Sequence, residues 1–247
     1  MQFFTLSDLI EKLNARLNLS GETFITTAEK IEYINEGIKE AEAEIHKMDL
    51  EDNYFRASQP LELAVDQSSY GLPTNIYANK ILKIIYSSGG TIYEIRRLRR
   101  RNNSSVEEQI ANITANGSSD SYQYYVNNDS AAFGNEIVLT PTSRETSSTA
   151  AKIWYIRQAN VLAVDADICD IPEFYYFVLQ YAKVMCLRKE FTGSTIPEGD
   201  FIELQRLRKL MISTLEEMVP DEDNKIDQDT QFYDDFNSWN SGFGGDY

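Results

Sequence analysis

The chain has 247 residues and a formal net charge of -16, from 39 acidic against 23 basic side chains. Hydrophobic residues make up 42% and the chain holds 15 tyrosines, enough for one sizeable core and well suited to wet contact surfaces. The acidic balance argues against general coating of nucleic acid, which depends on neutralising phosphates; no apolar run approaches the roughly 18 residues of a membrane span; and two cysteines, Cys169 and Cys186, are too few for a disulfide framework.

The opening MQFFTLSDLIEKL lacks the basic region and small-residue cleavage site of a signal peptide and reads as a first helix. Leu9, Ile10, Leu13 and Leu17 fall at helical spacing after Ser7, a predicted N-cap. A longer helix is predicted from about Thr27 to Leu50. Thr26 with Glu29 three residues on forms a capping box, and Ile31, Ile34, Ile38, Ala41, Ile45 and Met48 mark one face.

The period then changes. PLELAV (60–65) alternates as a strand, and SYGLP (69–73) reads as turn chemistry. KILKIIYSSGGTIYEIRRL reads as a hairpin about a Ser-Ser-Gly-Gly turn. A short helix capped by Ser104 is predicted next, then strands near Tyr122–Val126 and Glu136–Thr140, and a last strand at 150–159.

Helix returns with DIPEFYYFVLQYAKVMCLRKEF, where Pro172 suits the first turn. Phe174, Val178, Tyr181 and Met185, widened by Phe177 and Val184, make this helix central. A final helix is predicted from about Glu198 to Val219. The expected fold class is therefore α+β: a helical bundle from the N- and C-terminal helices (7–50 and 172–219), with a small β module inserted at 58–160. The domain so defined spans 1–220, and an extended acidic tail follows at 221–247. That tail holds eight acids and one lysine, Lys225, and is not expected to fold alone.

No catalytic motif is found. The sequence has no phosphate-binding Gly-rich loop, no Walker lysine and no G-x-S-x-G elbow. His46 is the one histidine. It reads as a solvated or lightly paired helix residue, because Glu42 and Asp49 do not complete a zinc set. A nucleophile pair of Cys186 with His46 is disfavoured, since an apolar helix interior does not lower a thiol pKa. Asp165, Asp167 and Asp170 lack the glycine and terminal glutamate of a calcium loop and read as loop caps. No enzyme, cofactor or metal is expected.

Two features are left to carry function. RRLRRR places Arg96, Arg97, Arg99, Arg100 and Arg101 within six residues. It reads as a solvated loop, a nucleic-acid contact or a protein contact. The last is preferred, because guanidinium pairs bidentately with carboxylates and the chain is rich in acids. The second feature is the tail, where Phe232, Tyr233, Phe236, Trp239, Phe243 and Tyr247 keep helical gaps. An aromatic, acidic segment unstable by itself can order on a partner.

The layout is similar to the head-to-tail adaptor (connector, head-completion) proteins of tailed bacteriophages, above all those with short tails. TAEKIEYINEGIKEAEAEI looks like the family's early helix. SYGLPTNIYANKILKI resembles its LP turn and strand. YQYYVNNDSAAFGNEIVLTPTSRETSSTAAKIWYIRQANVL resembles its Tyr-rich strand, Gly turn and L-x-P strand, and DIPEFYYFVLQYAKVMCLRKE its closing helix. The match covers about Thr26 to Phe191. The extra length at 96–116 and in the tail points to a larger phage of the crAss-like kind.

The resemblance implies a non-catalytic virion protein, made in the host cytoplasm and placed at the head–tail junction. It implies a ring of about twelve copies beneath a portal protein, with a tail-side ring or nozzle protein below, DNA passing through the channel without specific binding, and no membrane. The tail maps to portal docking and the arginine run to an intersubunit or portal-facing contact. The rival reading is a non-catalytic nucleic-acid-binding or regulatory module that uses Arg96–Arg101.

Overall fold

The computed structural model describes residues 3–17, 25–88, 91–98, 122–130, 134–143, 146–190 and 197–219. In chain order its elements are α1 (Leu6–Leu17), α2 (Thr27–Lys47), α3 (Glu51–Tyr54), β1 (Arg56–Leu63), β2 (Ser69–Gly71), β3 (Ile76–Ser88), β4 (Thr91–Arg97), β5 (Gln123–Ser130), β6 (Gly134–Thr140), β7 (Ser147–Arg157), a 3-10 turn (Pro172–Phe174), α4 (Tyr175–Glu190) and α5 (Glu198–Met218). They form two compact units, one from Met1–Leu50 and Asn160–Tyr247, the other from Glu51–Ala159.

In the first unit α4 is the central helix. Its apolar residues run around most of its surface, and Phe177, Val178, Leu179, Ala182, Val184 and Cys186 are all buried. It packs against α1, α2 and α5. Gly37 of α2 lets α4 approach closely: a β-carbon there would stand 3.1 Å from the Val178 carbonyl oxygen. Ion pairs tie the helices together, Lys183 to Asp200 at 2.6 Å between α4 and α5, Arg208 to Glu44 at 2.5 Å between α5 and α2, and Lys189 to Glu29 between α4 and α2.

The helix starts follow local chemistry. The capping box of Thr26 and Glu29 is formed in both directions. At α1 the cap is Thr5, not Ser7: the Asp8 backbone N–H donates to the Thr5 hydroxyl oxygen, and Thr5 N–H donates back to the Asp8 carboxylate. Ser7 lies inside the helix.

The second unit overturns the expected fold. It is no small insertion on a helical bundle but a seven-stranded, nearly closed barrel-like sheet, and the chain is mixed α/β. The strand order is β1-β7-β3-β4-β5-β6-β2. Neighbours are antiparallel except β4 and β5, which pair in parallel through Arg96 with Gln123 and Arg97 with Tyr124. The hairpin expected about Ser-Ser-Gly-Gly is β3–β4, in the register Ile84 to Ile95 and Ser88 to Thr91.

Curvature follows from the connections. The edge strands β1 and β2 are joined through residues 64–68 alone. Six Cα steps reach at most about 21 Å, whereas a flat sheet of seven strands is about 29 Å across. The sheet must therefore curl. Along this junction Asp66 N–H donates to the Ser143 carbonyl and Leu139 N–H to the Ser68 carbonyl. The inner face carries a core of its own, including Leu61, Leu63, Tyr70, Ile84, Tyr86, Ile95, Tyr124, Ile137, Leu139, Ile153 and Tyr155.

The β content was underread for physical reasons. β1 begins with the polar run Arg56–Gln59, which has no alternation. β2 sits inside the SYGLP segment that reads as a turn. β3 starts early, at Ile76, and is interrupted by a bulge where Ala78 and Asn79 take positive φ of 45° and 57°, which hides its period.

Candidate docking surfaces

The arginine run leaves the sheet at the end of β4. Arg96 and Arg97 are both exposed and point to opposite faces, as successive strand residues must. Arg97 shares the inner side of β4 with buried Ile95, beside Tyr124, whose hydroxyl is pushed up by burial against the opposing pull of Arg97. Arg96 lies on the outer side with Glu94. Arg99, Arg100 and Arg101 fall outside the described residues, as do the tail residues Phe232, Tyr233, Phe236, Trp239, Phe243 and Tyr247 and the segment of the helix expected after Ser104.

The outer side of the barrel carries a cluster that the sequence reading missed. Trp154 of β7 stands opposite Ser58 of β1 and Lys83 of β3. Three cations surround its indole: Lys152 at 4.7 Å, Arg56 at 5.0 Å and Lys83 at 5.8 Å from the ring centroid. Each belongs to a different strand, and Arg96 on β4 continues the same outer face. Burial pushes the Lys83 ammonium down, and Arg56 adds to that by like-charge repulsion, while Glu94 opposes it. The Trp154 indole N–H is buried without a hydrogen-bond partner. One sequence signal was available: in KIWYI the alternation puts Lys152 and Trp154 on the side opposite Ile153 and Tyr155.

A second charged surface lies on α2. Glu32, Glu36 and Glu40 repeat every fourth residue, so they form one column on the helix. Glu32 is exposed and the other two are half-buried. None of the three forms an ion pair with the described residues, and one carboxylate oxygen of Glu36 is buried without a hydrogen-bond partner. Burial raises the Tyr181 hydroxyl beneath them, and Glu36 and Glu40 raise it further.

The candidate reactive groups are placed as follows. Cys169 and Cys186 are both buried free thiols, and burial pushes each up to about 11, which suppresses the thiolate. Of the two expectations for His46, solvated or lightly paired, the structure shows the second. Its side chain is only 5% exposed and lies 3.7 Å from Glu42, because that turn of α2 faces the packed side of the helix. Asp167 and Asp170 act as loop caps: Asp167 accepts from Ala163 and Val164 N–H and Asp170 from both nitrogens of Asn160; at Asp165 it is the backbone carbonyl that accepts, from Ser7 N–H. Among the described residues no group of three or more His, Cys, Asp or Glu is placed to hold a metal ion, and no helix is long and apolar enough to cross a membrane.

These surfaces suit contacts with charged groups of a partner. They offer charge and, at Trp154, an aromatic ring. Compared with known protein families, the chain matches the model described as SU10 adaptor protein over residues 4–229. No curated protein matches it.

Proposed function

Since this chain belongs to the SU10 adaptor protein family, and so is a structural adaptor of a bacteriophage virion, we propose that it forms a ring of about twelve copies beneath the portal of a crAss-like phage. The ring joins head to tail, seats a tail-side ring or nozzle protein, and lets DNA through without specific binding. The observation that carries this reading is the family match across nearly the whole chain. The net charge of -16 supports it, because a channel wall that repels phosphate does not hold the genome back. Residues 1–220 form the adaptor body. The acidic aromatic tail, 221–247, docks on the portal through Phe232, Tyr233, Phe236, Trp239, Phe243 and Tyr247. Arg96, Arg97, Arg99, Arg100 and Arg101 make intersubunit or partner contacts.

The test is to mix the purified chain with the portal ring from the same genome and weigh the product by native mass spectrometry. About twelve copies per portal are expected, and a chain lacking 221–247 should no longer attach. Full attachment of that truncation removes the tail from the proposal. No attachment of the intact, folded chain removes the portal.

A further inference from the structure

Three cations gather at one indole, with Asp52 acting on Arg56 and Glu94 on Lys83. An aromatic ring attracts a cation through its quadrupole, which helps to hold Arg56, Lys83 and Lys152 together on this face; burial and then Arg56 push the Lys83 ammonium down, and Glu94 opposes them. The α2 column carries the opposite charge. Like charges four residues apart on a helix destabilise it; Glu32, Glu36 and Glu40 form no close ion pair with the described residues, although Arg208 feels the charge of Glu40. Each surface also holds a buried polar atom without a partner, the Trp154 indole nitrogen and a Glu36 carboxylate oxygen. One surface lies in the barrel unit and the other in the helical unit, so the chain carries two different patches of opposite sign.

We infer that these patches are the two halves of one contact between copies: the Arg56–Lys83–Lys152–Trp154 face of one chain, continued by Arg96, receives the Glu32–Glu36–Glu40 column of the next. This rests on the ring reading and names its interface. Two distinct complementary patches make a heterologous contact, the kind that repeats head to tail and closes into a ring. A second copy is the favoured occupant over nucleic acid. It supplies fixed carboxylates, which match guanidinium and ammonium at short range, and it does so without bringing phosphate to a chain whose net charge is -16.

The test is a charge swap. The first variant carries Arg56→Glu, Lys83→Glu and Lys152→Glu; the second carries Glu32→Lys, Glu36→Lys and Glu40→Lys. Circular dichroism and thermal melts confirm that each is folded, and Glu32→Lys with Glu40→Lys replaces the second variant if Glu36→Lys unfolds it. Assembly is followed by native mass spectrometry, with and without the portal ring. Each variant alone places like charges in the contact and is expected to lose self-association by about 100-fold or more. A one-to-one mixture restores both kinds of junction and is expected to give rings of alternating variants, with an even copy number.

Rings from either folded variant alone, equal to the parent, overturn the inference. So does a mixture that fails to reassemble, or a parent chain that binds the portal without contacting its neighbours; that last result leaves the adaptor reading standing. Rings that form and swap as expected but ignore the portal uphold the inference and remove the portal from the proposed function. A parent that binds DNA through this face, losing the DNA but not the ring in the first variant, also overturns it.

Discussion

Asn35 does with one amide what a short strand does with backbone. Its Nδ2 donates to the Leu162 carbonyl and its Oδ1 accepts from the Leu162 N–H, both at 2.9 Å. Leu162 is itself 1% exposed, so the clamp satisfies two backbone groups that water does not reach. Replacing Asn35 with Ala leaves both unpaired and is expected to lower stability by about 2 kcal/mol, read as a fall in the urea midpoint with an unchanged slope. A loss under about 0.5 kcal/mol would show that water takes over the clamp. Asn35 is silent in the sequence, since a polar residue on an amphipathic helix reads as solvent-facing. The Thr26–Glu29 box, by contrast, was legible because both partners lie within one turn. The Trp154 cluster was half legible: alternation puts Lys152 beside Trp154, but Arg56 and Lys83 join them only through strand register.

Among the elements, the α2–α4 contact depends on a missing side chain. A β-carbon at Gly37 meets backbone, not a side chain that can swing away. Gly37→Val adds two further carbons there and is expected to cost about 2 kcal/mol or more, measured by chemical denaturation, even though most residues favour a helix more than glycine does. A variant as stable as the parent would mean that the helices separate freely.

The same pair of helices shares an acid-sensitive link. Hydrogen bonds from Lys189, then from Thr26, hold the Glu29 carboxyl down at about 2, below its ordinary 4.5. A carboxylate with a lowered folded pKa stabilises the fold fully above its unfolded value and loses that contribution as pH falls through the folded one. The contribution of Glu29 is therefore complete above about pH 4.5 and fades toward pH 2. Glu29→Gln should flatten this part of the acid limb in a series of melts and leave the slope near neutrality unchanged; an identical acid limb in the two proteins would rule the link out. At this scale the β3–β4 hairpin and the central helix were legible from periodicity. β2 was not, because its three residues are short and flanked by glycine and proline, and the start of β1 was not, because its polar residues pair with β7 and are not ordered by a hydrophobic face.

For the whole molecule, the sheet unit enters and leaves the chain on adjacent strands. Arg56 pairs with Ile156 at the start of β1 and the end of β7, and Arg157 N–H donates to the Phe55 carbonyl at 2.9 Å. An insertion whose ends lie side by side, with a core of its own, should fold alone. Residues 51–159 expressed by themselves are expected to melt cooperatively and to give dispersed amide resonances. A collapsed spectrum would show that this core depends on the rest of the chain. The expectation of a small module failed here because strand count and closure are set by long-range pairing, β1 with β7 and β2 with β6, which no local pattern reports.

The short junction at 64–68 has one more effect. By drawing β1 and β2 together it turns the two open edges of the sheet toward one seam, where a foreign strand has less room to grow. Flat flanks of bare amides invite copies to stack strand on strand into aggregates, and curling narrows that invitation. Association is then left to side chains, which can let go and try again, so a subunit seated wrongly can still be corrected.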